Sequence, residues 1–431
     1  DFMPAGRTLF GAGYKGERKV SLSNCFLAGT KVATRRGLLN IEDVIDGDEV
    51  MTSNGYRVVN AVMSREFNGD LFKLKGCGLY DDIMCTPNHR FLTNKGWARA
   101  DRLFKGSLLM ATPNYEIAKK YDDIDFGTYF ISDDKNRLVV TSDDKYVAET
   151  NGRSHGWDSY AGIPVNKTAE LDDDMRYFIG RWLGDGSTTC RKGKRNPSIL
   201  QIVFNTTTEK EAAKKIAAIG EKAFGFAPQF RQTKQNTIAV RWESPIITSW
   251  FRGEFGFGCD GKHLQKKYDG DMQIALGLLD SDGMIKSHGA VSITLKNPGL
   301  VKWLRDTLFA NGINTCDATP TCHNNTMRLD VMAGQSREYL CPNMSKTYYD
   351  NRKNIKHSPE CAKWIRLSAV EVVENQHTTV YNLSVEENHQ YNVNGVICHN
   401  CYIMPSPEDN IESIFDTAKR IARISSYGGG C

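Results

Sequence analysis

Residues 390–401 read QYNVNGVICHNC, a pattern that predicts two short strands joined by a tight turn. The Asn394-Gly395 pair is typical of two-residue hairpin turns, because both residue types accept a positive φ. Strand-like texture also occurs in residues 369–374 and 379–385. These segments are too short to form a domain alone, so the remaining strands of their fold must lie elsewhere in the chain.

The remaining strands are predicted far upstream, within residues 26–113. Turn pairs such as Asp46-Gly47 and Asn54-Gly55 separate β-branched, nearly alternating runs. Strands are expected over residues 31–34, 49–51, 57–63, 71–75, 83–85 and 90–93. Together the two regions predict one all-β unit interrupted by a long insertion.

The insertion contains a repeated pattern of helices and strands. An apolar helix over residues 175–183 ends in GDG, and a second over residues 272–279 ends in DSDG. Each is followed by strand, helix, strands and a closing segment, so a duplicated α+β unit with a pseudo-twofold axis is predicted. Residues 114–170 are polar and fit neither texture.

Composition excludes some classes of protein. The 431 residues are 40% hydrophobic and 25% charged, as in globular proteins, and the net charge of +4 does not by itself indicate a nucleic-acid ligand. No apolar run is long enough for a membrane span, and no signal peptide is recognisable, so a cytoplasmic, non-membrane protein is expected. Cys398 and Cys401 form a CxxC pair without two further ligands, which argues against zinc.

Three motifs resemble those of inteins, the self-splicing protein segments. They are CFLAGT at residues 25–30, CTPNH at 85–89 and VICHNC at 396–401, in the family's order and with β-texture around them. The resemblance implies an all-β Hint domain of horseshoe shape. It also implies splicing without a cofactor, in which the segment from Cys25 to Asn400 is excised and Asn24 is joined to Cys401.

The residue types suit this chemistry. The Cys25 thiolate can attack the Asn24 carbonyl to form a thioester, and His89 can protonate the departing nitrogen while Thr86 orients the peptide. Cys401 would then accept the acyl group. Asn400 would cyclise with help from the two histidines near it, His389 and His399.

One position departs from the family pattern. Relatives often carry Asp in the Val-Tyr-Asp stretch of the C-terminal block, whereas this chain has Asn382. An amide cannot act as a general base, so Asn382 either only forms hydrogen bonds or implies slower, differently coupled steps.

The repeated helices resemble the LAGLIDADG homing endonucleases, through FIGRWLGDG at residues 178–186 and ALGLLDSDG at 275–283. The resemblance implies close contact at Gly180 and Gly277. It places Asp185 and Asp282 together as ligands of Mg²⁺ for cleavage of double-stranded DNA, with Lys262 as the accompanying basic residue. A nuclease that has decayed to DNA binding alone is the alternative.

Basic residues on the predicted strands could line a surface for the major groove. They are Arg191, Lys192, Lys194, Arg195, Arg231, Lys234, Arg241, Lys286, Lys296 and Arg328. A pseudo-symmetric unit can read an asymmetric site, so a monomer is expected.

The flanks, read without the intervening segment, resemble an internal stretch of a ribonucleotide reductase large subunit. The 24 residues before Cys25 and the 31 after Asn400 are far too few for that enzyme, so reductase activity is not expected. The predicted organisation is a flanking segment (extein) at 1–24, Hint segments at 25–113 and 346–400, an unassigned region at 114–170, the endonuclease at 171–345 and a second extein at 401–431.

Overall fold

The computed structural model describes residues 24–132, 136–150, 160–190, 197–234, 236–286, 289–321, 325–344, 363–387, 389–400 and 410–426. Its strands, in chain order, are β1 Phe26–Leu27, β2 Lys31–Thr34, β3 Gly37–Asn40, β4 Glu49–Thr52, β5 Gly55–Gly76, β6 Ile83–Cys85, β7 Arg90–Thr93, β8 Gly96–Arg99, β9 Leu108–Met110, β10 Ile124–Asp125, β11 Asn136–Val140, β12 Lys145–Thr150, β13 Tyr160–Ala161, β14 Val165–Asn166, β15 Thr168–Ala169, β16 Gly186–Cys190, β17 Pro197–Asn205, β18 Gln229–Lys234, β19 Thr237–Glu243, β20 Gly283–Ile285, β21 Val291–Leu295, β22 Thr319–Pro320, β23 Met327–Asp330, β24 Trp364–Val385, β25 Gln390–Val393 and β26 Val396–His399.

The α-helices are α1 Asp173–Asp185, α2 Lys210–Phe224, α3 Pro245–Phe255, α4 Met272–Asp282, α5 Pro298–Ala310, α6 Ala333–Gln335 and α7 Ile411–Ser426. Short 3-10 helices cover Ile41–Asp43, Ala100–Arg102 and Lys266–Tyr268. Among the helices of the described ranges, none is long and apolar enough to cross a membrane.

The chain divides into two compact units. One, the β-unit, takes in the described residues of Asp1–Tyr115, Phe309–Asp317 and His357–Cys431. The other, the insertion unit, takes in those of Glu116–Leu308 and Ala318–Lys356. The fold class expected from the sequence, an all-β unit interrupted by an α+β unit, is confirmed.

The unit boundaries differ from the predicted ones in two places. The unassigned region forms β10 to β15 and joins the insertion unit from Glu116 onward. The segment Phe309–Asp317, predicted to lie within the endonuclease, belongs to the β-unit. Local periodicity could not show this, because the assignment depends on contacts with residues far away in the sequence.

A 12-stranded sheet forms the β-unit, in the order β25-β26-β7-β9-β24-β1-β6-β5-β4-β2-β3, with β8 on β7. β5 and β24 are each 22 residues long and pair antiparallel along almost their whole length. The sequence predicted each as two separate strands, and this was wrong. The polar residues between the predicted halves remain in strand because each long strand satisfies the other's backbone hydrogen bonds.

The insertion unit repeats one topology twice, as predicted. Two of its four-stranded sheets have the orders β16-β17-β19-β18 and β20-β21-β23-β22, the same pattern in both copies. α1 and α4 precede these sheets and pack against each other. Both helices begin at a capping aspartate: the side chain of Asp172 accepts from the Met175 N–H, and that of Asp271 accepts from the N–H groups of Gln273 and Ile274.

Candidate functional site

The peptide bond between Asn24 and Cys25 is held at both ends. The Cys25 N–H donates to Oγ1 of Thr86 over 3.0 Å. The Asn24 carbonyl oxygen accepts from Nδ2 of Asn382. Asn24 and Cys25 are buried, at 3% and 0% exposure, so these bonds lie in a water-poor environment where hydrogen bonds are strengthened.

Strand register explains how residues so far apart converge on this bond. Phe26, in β1, pairs with Tyr381 of β24 on one side and with Cys85 of β6 on the other. Asn382 follows Tyr381 in β24, and Thr86 follows Cys85, the last residue of β6. The β1 pairing thus places both side chains beside the peptide bond that precedes Phe26.

The orientation of the Asn382 amide is fixed by its neighbours. Its Oδ1 accepts from the Leu383 N–H at 2.8 Å and from the Tyr391 hydroxyl at 2.7 Å. A backbone N–H can only donate, so the atom that faces it must be the amide oxygen. The NH₂ group therefore faces the Asn24 carbonyl, which can only accept.

His89 is fully buried, and its ring lies 3.9 Å from that of Phe26, centroid to centroid. Burial, with a smaller contribution from the nearby His399, lowers the pKa of His89 to about 3. The imidazole is therefore neutral at pH 7. This corrects the expectation of a ready proton donor, because a neutral ring must first take up a proton before it can give one.

The C-terminal junction lies at the end of the β25–β26 hairpin. Asn400 is fully buried; its N–H donates to the His389 carbonyl at 2.9 Å, and its Nδ2 donates to the Val385 carbonyl at 3.3 Å. Nδ1 of His399 lies 2.8 Å from the Asn400 carbonyl oxygen. Because that oxygen is only an acceptor, the contact requires the Nδ1–H tautomer of His399.

Burial also lowers the pKa of His399 and of His389 below the usual histidine value. In His399 the hydrogen bond to the Asn400 carbonyl acts in the opposite direction but is the smaller effect. The Trp97 ring packs edge-on against His399, with 5.1 Å between centroids. Both histidines are thus predominantly neutral at pH 7.

Of the CxxC pair, Cys398 lies among the described residues and Cys401 lies outside them. Cys398 is fully buried, and its Sγ donates to the Tyr391 carbonyl at 3.4 Å. Burial raises the pKa of the Cys398 thiol well above its usual value. Burial therefore disfavours the reactive thiolate that ready oxidation requires.

The α1–α4 contact in the insertion unit depends on glycine. A Cβ added at Gly180 would lie 2.1 Å from the Ile274 carbonyl oxygen, and one at Gly277 would lie 2.2 Å from that of Tyr177. Any larger residue would force the backbones apart. Asp280 lies fully buried in this seam, where it accepts from the Tyr177 hydroxyl at 2.7 Å.

Asp185 and Asp282 are the last residues of α1 and α4. Asp282 is exposed and Asp185 is partly exposed, and both act electrostatically on the Lys262 ammonium. A Cβ at Gly184 would lie 1.8 Å from the Ser281 Oγ and 3.0 Å from the Asp282 carboxylate, so the two helix ends are in close contact. Within the described ranges there is no group of three or more His, Cys, Asp or Glu residues that could hold a metal.

The Lys262 side chain is buried against the C-terminal end of α1, where backbone carbonyl groups surround its ammonium. Its Nζ donates to the carbonyls of Trp182, Leu183 and Gly186 at 2.8, 2.9 and 2.7 Å. Burial lowers its pKa to about 8, opposed by Asp282. These three bonds use all the ammonium protons, so Lys262 stabilises the C-terminal end of α1 rather than presenting a charge to a ligand.

The basic residues proposed for DNA fall into four groups. Arg231, Lys234 and Lys296 are exposed, whereas Lys286 and Arg328 form ion pairs with Asp330 at 2.6 and 3.1 Å. Arg241 is buried at 9% exposure, which contradicts its assignment to the ligand-facing surface. Arg191, Lys192, Lys194 and Arg195 lie outside the described residues.

Two residues that contact the predicted splice-site residues were not identified from the sequence. Tyr391 orients Asn382, and Trp97 packs on His399. Neither carries a motif, because each acts through a contact made across the sheet. No pattern in one sequence could have identified them.

The geometry around Asn24-Cys25 and Asn400 defines a domain arranged to act on its own two ends. Residues 30–400 match the family "Intein splicing domain". The chain belongs to this family.

Similar proteins include an ATP-dependent DNA helicase, Hel308, from Thermococcus kodakarensis, 23% identical over 87% of this chain and 36% of the helicase. The chain thus spans about a third of that relative's length. Among solved structures, the gp41-1 intein is 26% identical over 20% of this chain and 68% of its own, with a TM-score of 0.18. I-DmoI in complex with DNA and Ca is 14% identical over 39% of this chain and 86% of its own, with a TM-score of 0.31.

Proposed function

We propose that this chain excises its segment from Cys25 to Asn400 and joins Asn24 to Cys401. The proposal rests on two hydrogen bonds to the Asn24–Cys25 peptide group: Thr86 accepts from its N–H, and Asn382 donates to its carbonyl oxygen. Any buried peptide bond needs partners for its N–H and C=O groups. Here both partners are side chains, from residues 61 and 358 positions away. Placed on these two atoms, they could also stabilise the charge that develops there when the bond is broken.

The first step would be an acyl shift from nitrogen to sulfur. Neutral His89 takes the proton of the Cys25 thiol, and the sulfur attacks the Asn24 carbonyl carbon. Negative charge develops on the carbonyl oxygen, where the Asn382 NH₂ already donates. The protonated His89 then gives its proton to the departing Cys25 nitrogen, which leaves a thioester and a free amine.

The later steps would transfer and release the upstream segment. The Cys401 thiolate attacks the thioester and takes over the acyl group, which regenerates the Cys25 thiol. The Asn400 side-chain nitrogen then attacks its own backbone carbonyl carbon, which His399 polarises through Nδ1–H. The peptide bond to Cys401 breaks, the excised segment ends in a succinimide, and the freed Cys401 amine takes the acyl group from its own sulfur.

The test is the intact mass and gel pattern of expressed precursor. We expect an excised product that spans residues 25–400 and a ligated product. Cys25→Ala should abolish thioester formation and all N-terminal cleavage, and Asn400→Ala should leave branched or unspliced precursor. Cys85→Ala, a buried cysteine that has no step in this scheme, is the matched control. Normal ligation by either junction variant would contradict the mechanism.

We infer a second function, cleavage of double-stranded DNA, for the insertion unit. It is supported by the duplicated topology, the glycine contact of α1 with α4, and a carboxylate at the accessible end of each helix. Asp185 and Asp282 would hold a Mg²⁺ ion, since carboxylate oxygens are its preferred protein ligands. When bound, the metal would activate water and stabilise the leaving oxygen.

In this second function, Lys262 would position a carboxylate rather than act as a basic residue at the metal site. By holding the last carbonyls of α1, it would fix the position of Asp185 relative to Asp282. The exposed Arg231, Lys234 and Lys296 remain candidates for phosphate contacts. The alternative, a unit that binds DNA and no longer cuts, predicts the same basic surface without turnover.

Cleavage assays on a defined DNA target would test both the nuclease function and the identity of the host gene. We propose that the target is coding sequence of a ribonucleotide reductase large subunit that lacks the insertion. Mg²⁺-dependent cutting is expected there, and not in the allele that contains the insertion. Asp185→Asn or Asp282→Asn should eliminate cutting and leave the ligated product intact, with Asp306→Asn as control. Equal cleavage of both alleles would contradict homing, and cleavage of neither by the unmodified chain would indicate a decayed nuclease.

A further inference from the structure

Two cysteines of the β-unit, 239 residues apart in sequence, lie side by side. The sulfur atoms of Cys77 and Cys316 are 3.3 Å apart. Cys77 is exposed and Cys316 is partly exposed, so small reagents can reach them. Nothing in the splicing chemistry uses either thiol.

The two cysteines belong to segments that are held together by other bonds. Cys77 follows the end of β5, and Cys316 lies in the Phe309–Asp317 segment. Nδ2 of Asn314 donates to the Gly78 carbonyl at 2.6 Å. This bond fixes the positions of the backbones on either side of the sulfur pair.

The Phe309–Asp317 segment also holds the hairpin that carries the C-terminal junction. The same Asn314 Nδ2 donates at 3.0 Å to the carbonyl of Gly395, in the turn between β25 and β26. The Phe309 ring packs edge-on against Tyr80, with 5.1 Å between centroids. Gly312 fits closely against the Pro113 backbone, where a Cβ would lie 2.1 Å from the carbonyl oxygen.

We propose that Cys77 and Cys316 are a disulfide-forming pair, and that their oxidation fastens the Phe309–Asp317 segment to the β-unit and secures the β25–β26 turn. A disulfide needs its sulfurs to approach to about 2.05 Å. From 3.3 Å this is a movement of little more than 1 Å, which side-chain rotation can supply.

The chemistry is thiol–disulfide exchange with a small disulfide such as oxidised glutathione. The more exposed Cys77 attacks one glutathione sulfur as the thiolate and releases the first reduced glutathione. The Cys316 thiolate then attacks the Cys77 sulfur of this mixed disulfide and releases the second. Two protein thiols are oxidised, one reagent disulfide is reduced to two thiols, and the two protons pass to the released glutathione.

By contrast, Cys85 and Cys398 of the β-unit are buried, and burial raises the pKa of both thiols. Cys77 and Cys316 are therefore easier to oxidise than Cys85 or Cys398. Cys398 and Cys401 form the CxxC motif of the sequence. The fold instead brings together Cys77 and Cys316, which share no motif.

The first test is disulfide mapping of the full chain after treatment with oxidised glutathione. We expect a non-reduced peptide that links Cys77 to Cys316, lost on reduction and absent in Cys77→Ser. Cys190→Ser, which removes another exposed thiol, should leave the link unchanged. Recovery of Cys77 and Cys316 as separate glutathione adducts would overturn the proposal. This readout does not depend on splicing, so it stands or fails apart from the proposed function.

The second test addresses the turn and rests on the proposed function. In a Cys25→Ala precursor, oxidation should preserve Asn400-dependent C-terminal cleavage at urea concentrations that abolish it in the reduced protein. The thermal midpoint of the β-unit should rise by several degrees, because the cross-link restricts the unfolded chain. Cys316→Ser should remove both effects. If the mapped disulfide forms but changes neither the urea dependence of cleavage nor the thermal midpoint, the proposed fastening of the turn is wrong.

Discussion

Oγ1 of Thr86 accepts a 3.0 Å hydrogen bond from the Cys25 N–H, across 61 residues of sequence. The bond fixes the direction of that N–H. When the peptide nitrogen loses its conjugation, its lone pair must point away from the N–H toward a proton donor. In the proposed mechanism, Thr86 would therefore set the geometry for protonation of the leaving nitrogen.

Replacement of Thr86 by Val should slow thioester formation about tenfold, the equivalent of one hydrogen bond of 1.4 kcal/mol in the transition state. Thr86→Ser keeps the hydroxyl and should retain most of the rate. The measurement is dithiothreitol-induced cleavage after Asn24 in an Asn400→Ala, Cys401→Ala background. Equal rates for the Val and Ser variants would show that the hydroxyl is not used.

Asn382→Asp should slow the same step about a hundredfold at pH 8, because a carboxylate oxygen would face the developing oxyanion. Protonation of the carboxyl restores a donor, so the rate relative to the unmodified chain should recover as the pH falls toward 5. A pH-independent ratio would exclude a hydrogen-bond donor at this position as the cause.

Tyr391→Phe should lower the thioester rate through loss of the bond that orients the Asn382 amide. A positioning role predicts non-additivity: in an Asn382→Ala background, the Tyr391 change should have almost no further effect. Tyr80→Phe, a buried tyrosine elsewhere in the β-unit, is the control for general destabilisation. Full additivity of the two changes would place Tyr391 outside the site.

His89 should make the stability of the β-unit depend on pH. Its pKa is about 3 in the folded chain, against about 6.5 for an unperturbed histidine. The unfolded chain therefore binds more protons between these values, and the free energy of unfolding should fall as the pH drops from 6.5 toward 3. The loss is at most about 1.4 kcal/mol per pH unit.

His89→Gln should flatten this dependence in chemical unfolding measured between pH 7 and 4. Burial lowers the pKa of His389 and His399 in the same direction, so the comparison is between the slopes of the two proteins. A slope unchanged by His89→Gln would contradict the burial of a neutral imidazole.

Lys262→Met should destabilise the insertion unit by about 3 kcal/mol, since it leaves three carbonyls at the end of α1 without their donor. Lys296→Met removes an exposed charge and should have little effect. The measurement is the unfolding transition of the insertion unit. Splicing should be unchanged in both variants, and an unchanged transition for Lys262→Met would contradict a structural role.

The sequence alone determined the order of the β-rich and helical regions, the duplication within the insertion and the residue types at the predicted splice junctions. Strand alternation and helical periodicity are local, so residues 31–34 and 83–85 were assigned correctly, and the two apolar helices were recognised as copies. The chemistry of Cys25 and Asn400 follows from their side chains and needs no fold to be suspected.

Tertiary structure alone decided what those residues experience. Continuous pairing merged the predicted strand halves into β5 and β24, burial lowered the pKa of His89, and Tyr391 turned the Asn382 amide toward the Asn24 carbonyl. Tertiary structure also decided that the Lys262 ammonium is enclosed by carbonyl groups and that Cys77 lies beside Cys316. Partners, solvent exposure and pKa depend on contacts between residues up to hundreds of positions apart, and no local pattern encodes such contacts.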